Sequence, residues 1–267
     1  MATRSRSRFA WRRLALLAAG CLALIQAASA EDAGPPSVGY CPAQQLTPFS
    51  ARYDVYRNGR LLGRSEASLK KSGAQWTYRV STEANRGLAG FLGGKITERS
   101  QFELADDGSL LSRDYDYQQG IRFSRREGRA RFDWDRLQVE GVYKKKDFML
   151  PLVAGQTDRM LINLKLMRQL AEGQQQFAFE TVERGNVRQH TYTRTDEVTV
   201  TDTSEGELQT VLVNRHHSNP RRQTRSWHAP KLGFLPVRLE QIDGDDDEVI
   251  EMRLTEWICE PCPSVGP

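Results

Sequence analysis

Cys259 and Cys262, spaced as Cys-Glu-Pro-Cys, are the residues whose type and spacing most readily suggest chemistry. A Cys-x-x-Cys pair is redox active when a helix starts at its first cysteine and lowers the thiol pKa. Here a strand pattern from Val249 to Ile258 leads in, Pro263 follows at once, and five residues remain after Cys262, so that helix has no room. The other use of these residues is a structural bridge to Cys41. On the loop-entropy account, closing about 220 residues is worth on the order of 5 kcal/mol, against about 2 kcal/mol for the small ring within Cys-Glu-Pro-Cys. The expected disulfide therefore joins Cys41 to either Cys259 or Cys262 and leaves one thiol for exchange.

The other chemistry-bearing residues do not converge. Of the four histidines, His216, His217 and His228 fall in one candidate hairpin turning at Asn219-Pro220-Arg221-Arg222, which places His216 near Arg225 and His228 opposite Val213. Their rings would then lie about 10 Å apart at strand rise, whereas zinc gathers its ligands at about 2 Å. The run Asp243 to Glu248 lacks the residue order of a calcium loop and reads as a solvated hairpin tip. Neither a metal nor a cofactor is expected. Asp114 and Asp116 share a strand face as a glycosidase pair would, but outward polar residues look the same. Neither a Gly-x-Ser-x-Gly elbow nor a His-Glu-x-x-His motif occurs. Gly87 to Lys95 resembles a phosphate loop but carries Ala89 and Ile96 where glycine and a hydroxyl residue are required. Its Leu88, Phe91 and Leu92 suggest either a crossover folded back onto the core or a flap over a lipophilic groove. Lys144-Lys145-Lys146 and Arg221-Arg222 with Arg225 suit anionic head groups or, more ordinarily, charged turns that discourage aggregation.

The N-terminus limits which of these chemistries matter. Arg4, Arg6, Arg8, Arg12 and Arg13 precede an apolar run from Leu14 to Ile25, and Ala28-Ser29-Ala30 follows with small side chains. This pattern predicts a signal peptide over residues 1–30, cut after Ala30, and a periplasmic mature chain. Lipidation at Cys21 is the lesser reading, because Ala18 stands where a larger aliphatic is usual and only Leu14 to Gly20 precede the cysteine. With the five leader arginines set aside, 33 basic residues face 34 acidic ones. The positive charge thus belongs to the leader, and nucleic-acid binding is not expected. Past the leader no run of about 18 apolar residues occurs, so no transmembrane segment is expected in the mature chain.

Residues 31–48 are rich in Pro, Gly and Ala and read as an extended lead-in. From Phe49 the pattern alternates: Phe49, Ala51, Tyr53 and Val55 share one face, and Asn58-Gly59 then marks a hairpin. Turn signals at Asp106-Asp107-Gly108, Gln119-Gly120, Glu127-Gly128, Gly185-Asn186, Glu205-Gly206 and Asn219-Pro220 recur about every ten residues. They divide residues 49–258 into roughly eleven to thirteen strands of one antiparallel domain, with 259–267 as a tail. One segment breaks the pattern. Between Thr157 and Glu172, Met160, Leu161, Leu164, Met167 and Leu170 recur at helical steps, with Thr157 or Asp158 as cap and Gly173 as stop. The fold class expected is mainly β: a large curved antiparallel sheet, half-barrel or barrel-like, with one amphipathic helix. One helix covers only part of such a sheet, so the sheet must curl and leave a hydrophobic groove.

The order of these features resembles the bacterial envelope family known as domain of unknown function 3108. The resemblance rests on Tyr53-Asp54-Val55-Tyr56, the Asn58-Gly59 turn with Gly63, the helix opening Thr157-Asp158, Trp227-His228-Ala229-Pro230 and the strand Leu235-Pro236-Val237-Arg238-Leu239-Glu240, and runs from about Phe49 to Trp257. It implies an exported antiparallel β protein, similar in architecture to half-barrel lipoprotein carriers, and brings no catalytic residues. Together these readings give a periplasmic, non-catalytic protein that binds a lipid, acyl chain or other apolar ligand on the concave face. Leu88, Phe91, Leu92, Met160, Leu164 and Met167 are its groove or flap residues. The alternatives are an envelope assembly or structural factor acting through contacts with envelope proteins and, behind that, a periplasmic hydrolase.

Overall fold

Asn58 and Gly59 sit at φ 49° and 76°, the left-handed pair that a type I′ turn requires. The hairpin they close sets the pattern for the chain. The computed structural model describes residues 46–84, 94–121, 124–203, 206–244 and 248–259. The first run of strands is β1 (Phe49–Arg57), β2 (Arg60–Ser72), β3 (Gln75–Ala84), β4 (Gly94–Leu104), β5 (Leu110–Ile121), β6 (Ser124–Asp133), β7 (Gln138–Tyr143) and β8 (Lys146–Pro151). A two-residue strand, β9 (Thr157–Asp158), leads into the helix α1 (Leu161–Ala171). The second run is β10 (Gln176–Glu183), β11 (Asn186–Thr203), β12 (Gly206–His216), β13 (Gln223–Ala229), β14 (Leu235–Asp243) and β15 (Glu248–Cys259).

All fifteen strands form one sheet in the order β8-β7-β6-β5-β4-β3-β2-β1-β15-β14-β13-β12-β11-β10-β9. Each run is an up-and-down meander, and the antiparallel pairing of β1 with β15, from Phe49 opposite Cys259 to Arg57 opposite Ile250, makes the two runs one sheet. Among the described strands only β9 lies parallel to its neighbour, with Thr157 opposite Thr181. Because strands alternate in direction, connections alternate between two ends of the sheet. Asn58-Gly59, Lys144-Lys145, Arg184-Gly185 and Asn219 to Arg222 share the upper rim; Gly73, Gly108 and the α1–β10 connection share the lower rim.

Strongly twisted sheets of this width curl, and this one curls until its ends meet. The Phe148 ring of β8 packs against Gly185, where an added Cβ would lie 3.1 Å from the ring. The Arg184 guanidinium lies 5.4 Å from the centre of the Tyr143 ring. Val182 of β10 joins Ala130, Phe132, Val139 and Leu152 in a buried cluster. What remains at the seam, between Tyr115, Val142, Phe148, Arg159, Val182 and Glu183, is a space of ≈ 20 Å³, room for about one water.

The helix runs down the inside of this curl from the upper side to the lower rim. Leu161 and Leu164 pack with Phe49, Trp76, Tyr78 and Phe102. Ile162, Leu166 and Leu170 pack on the opposite wall with Phe177, Phe179 and Val213. Both flanks are therefore covered, each fully buried aliphatic contributing about 2 kcal/mol before entropy is charged against it. Lys165 and Arg168 reach the carbonyls of Gly155 and Gly108.

Several expectations are corrected. The helix starts at Leu161 rather than Thr157, because Thr157 and Asp158 are taken up as a strand. Among the described residues the sheet has fifteen strands rather than eleven to thirteen. Gln119-Gly120 and Glu127-Gly128 are not turns but lie within β5 and β6. Gly128 stands opposite Tyr143, whose ring lies 3.0 Å from where a Cβ would be, so this glycine makes room for an aromatic. Leu164 is fully buried and should behave as core: Leu164→Ala is expected to lower stability by about 3 kcal/mol, read as a shifted urea midpoint with unchanged m value.

Candidate functional site

Inward-facing residues change character along the strands. Toward the lower rim they are filled in by the helix: Leu69, Phe102, Leu235 and Leu254 are at most 2% exposed. Toward the upper rim the same face carries Val80, Ile96, Leu239, Ile250 and Met252, all only half-buried. Register fixes this side: Val80 stands two residues beyond buried Tyr78, and Ile96 is opposite Thr82, itself opposite buried Ser65. Met252 is opposite both Leu239 and buried Val55, with Ile250 two residues further on. The upper half of the concave face is thus an aliphatic wall above the helix start, and it is the candidate site.

A buried carboxylate holds the floor of this site. Asp158 is fully buried; its Oδ2 accepts from Ser100 Oγ at 2.6 Å and Ser112 Oγ at 2.7 Å, and its Oδ1 from the Met160 amide at 2.9 Å. The Asp158 amide in turn donates to Ser112 Oγ at 2.9 Å. Burial pushes the Asp158 pKa up, and these hydrogen bonds offset part of that rise. On the helix, Asn163 hydrogen-bonds the Tyr78 hydroxyl, whose pKa is pushed up to about 12 mainly by burial.

Beside Asp158 the charged inner residues are paired. Arg159 donates to Glu98 Oε1 at 2.6 Å, and the Tyr115 hydroxyl donates to Glu98 Oε2 at 2.7 Å. Across the seam Glu183 lies 2.8 Å from His190 Nε2 and accepts from Thr181 Oγ1 at 2.9 Å. Burial works against the Glu183 charge, but His190, Thr181 and Arg159 outweigh it and hold the carboxyl at about 2. Arg215 Nη2 meets His190 Nδ1 at 2.6 Å. A guanidinium only donates, so Nδ1 accepts and the proton sits on Nε2, facing Glu183. Two carboxylates and two guanidiniums cancel here.

The predicted site residues are distributed as follows. Met160 and Leu164 are buried in the core at 5% and 0% exposure, and Met167, half-buried, packs against the same core below the wall. Leu88, Phe91 and Leu92 lie outside the described residues, as do Cys41 and Cys262. Cys259, at the lower end of β15, is disulfide-bonded. The register of β12 and β13 puts His228 opposite Val211, not Val213, and Arg225 opposite Asn214, not His216. His216 bonds Thr193 and His217 bonds Thr224. Among the described residues no group of three His, Cys, Asp or Glu side chains is placed to hold a metal ion. The half-buried Ile96, Leu239 and Ile250 were missed; strand alternation marks their face but not the depth at which the helix filling ends.

His228 is 2% exposed, donates from Nδ1 to the Phe234 carbonyl at 2.8 Å, and accepts from Ser226 Oγ at 2.9 Å through Nε2. Burial lowers its pKa to about 4, against a small raising contribution from Phe234. The unfolded chain therefore binds the extra proton first, and stability present above about pH 6.5 is lost as pH falls through about 4. The loss is on the order of 3 kcal/mol. His228→Gln should flatten the wild-type fall in melting temperature between those pH values. For Asp158, replacement by Ala strands two buried hydroxyls and the helix amides, at a cost of about 3 kcal/mol or more. Asp158→Asn, whose amide can still bond both serines, should cost about 1 kcal/mol; comparison of the two urea midpoints checks this.

No curated protein matches the chain. Among solved structures it is similar to a β-barrel-like protein of domain of unknown function DUF1849 from Brucella abortus: 12% identity, 82% of this chain and 100% of that chain covered, and a TM-score of 0.56. A DUF1089 family protein from Pseudomonas aeruginosa superposes more loosely, at 14% identity and a TM-score of 0.35 over 65% of this chain and 87% of that one. The first likeness bears on the fold alone and agrees with the barrel-like curl. No helix among the described residues is long and apolar enough to cross a membrane. The family model described as protein of unknown function DUF3108 matches residues 52–255, and the chain belongs to that family.

Proposed function

We propose that this is an exported, non-catalytic binding or carrier protein of the periplasm that holds a lipid, acyl chain or other apolar ligand on the upper half of its concave face. The observation that carries this reading is that Ile96, Leu239 and Ile250 face inward yet stay half-buried while the same face below is filled, with Val80 and Met252 packed against the core at the base of that wall. Aliphatic surface left wet inside a curl gains free energy when an apolar molecule covers it, at about 25 cal/mol per Å². Around it Glu98, Glu183 and Asp158 are each satisfied by neighbouring donors, an arrangement that leaves none of them aimed at a reacting atom. The predicted leader ending at Ala30 supports export.

Native mass spectrometry and solvent extraction of gently purified, exported protein test the reading. An apolar ligand should co-purify, and Ile96→Gln with Leu239→Gln should reduce its occupancy about tenfold without a comparable loss of stability. Empty wild-type protein that also fails to take up added fatty acid or phospholipid would sink it.

A further inference from the structure

Arg215 brings a half-buried cation to the concave face, and no carboxylate meets it directly. The register fixes its side: it stands opposite Tyr192, which packs on buried Phe177 and Phe179, and two residues beyond buried Val213. Its Nη2 bonds His190 Nδ1, its Cζ lies 5.9 Å from the centre of the Tyr192 ring, and its Nε is buried without a partner. Among the described residues it has no carboxylate within the 4.0 Å of an ion pair, whereas Arg159 lies against Glu98 and Arg238 against Glu251. Glu183, the carboxylate behind His190, is 2.8 Å from the other ring nitrogen and is also bonded by Thr181. Asp243 shares the face, two residues beyond Gln241, but is exposed at the β14–β15 tip. The field in this corner is positive all the same: after burial, Arg215 and Arg222 hold the His217 pKa below its ordinary value, and Asp243 offsets them only in part.

The same cross-strand row leads to the aliphatic wall. Arg215 is opposite Thr224, Thr224 opposite Gln241, and Gln241 opposite Ile250, all of them half-buried. One row lower, Val213 is opposite Ser226 and Ser226 opposite Leu239. At ordinary strand spacing Arg215 is roughly 10 to 14 Å from Leu239 and Ile250, and the residues between, Thr224, Ser226 and Gln241, carry no charge. We infer that the concave face takes an amphiphile, with its anionic head, a carboxylate or a phosphate, at Arg215 and its hydrocarbon chain along this row against Leu239 and Ile250. A guanidinium offers its donors as a fork that fits either oxyanion, and a half-buried one is screened less by salt than an exposed one. A neutral ligand would cover the polar row without using it. The inference rests on the ligand reading and narrows it to one chemical class.

The test is calorimetric titration of exported, lipid-extracted protein at neutral pH with dodecanoate, dodecyl phosphate and dodecanol, which share one chain length. At least one of the two anions should bind about tenfold or more tightly than the alcohol, the step expected of a charge-assisted hydrogen bond. Arg215→Gln, whose amide can still donate to His190 Nδ1, should lower that anion to the affinity of the alcohol and leave dodecanol binding unchanged. Arg215→Lys, which keeps the charge, should retain a preference for the anion. Equal binding of all three by wild-type protein would overturn the inference and leave the carrier reading standing, and this comparison decides even if Arg215→Gln unfolds. Binding of none would overturn both. An anion preference that survives Arg215→Gln would also overturn the inference, as would a parallel loss of dodecanol binding, which would make Arg215 structural. So would inorganic phosphate or acetate binding as tightly as the chained anions, which would give Arg215 to a free ion.

Discussion

Asp158 is the residue on which the shape of the molecule depends. Burying an ionisable carboxylate with no compensation costs many kcal/mol, and this one is compensated only if donors from three separate parts of the chain arrive together: Ser100 from β4, Ser112 from β5, and the amide of Met160 at the start of α1. β4 and β5 belong to one run of strands; β9, which carries Asp158, belongs at the far end of the other. Satisfying the carboxylate therefore forces a sheet that is topologically open to roll until its inner face near one end meets its opposite edge. A flat or loosely coiled sheet would strand the charge. Apolar contacts favour burial without fixing geometry, whereas this hydrogen-bonded cluster has one satisfactory arrangement and so selects the degree of curl and the position of the helix within it. The adjacent Arg159 extends the same logic by bridging to Glu98, again on β4.

The meander itself was legible because alternation is a local signal. Phe49, Ala51, Tyr53 and Val55 are buried in the pattern their spacing predicts, and Asn58-Gly59 turns where its preference for positive φ says it must. Where the sequence misled, long-range packing had overridden local preference. Gly128 looks like a turn residue, yet it sits mid-strand to admit the Tyr143 ring, a requirement set by a residue fifteen positions away. The Thr157 to Glu172 stretch looks helical from its first residue, and its first two residues are withdrawn into the sheet by pairing with β10. Asp158 did read as a helix cap; its two serine partners did not, since a serine at an inward position of an alternating strand carries no sign of what it will meet. Met160 and Leu164 show what periodicity alone leaves open. An apolar stripe on a helix looks the same whether it lines a hollow or fills one, and here it fills one.

The polar groups of the interior and those of the rim have opposite character. Inside, Glu98 and Glu183 are matched by Arg159 and by His190 with Arg215, and every one of these contacts is between protein groups. On the upper rim, among the described residues, charges are exposed and of both signs: Arg57 meets Glu248 and Arg125 meets Glu127, while Lys144 and Lys145 face water. Their influence extends over about one Debye length, some 8 Å at physiological salt, far beyond the reach of any contact inside the curl.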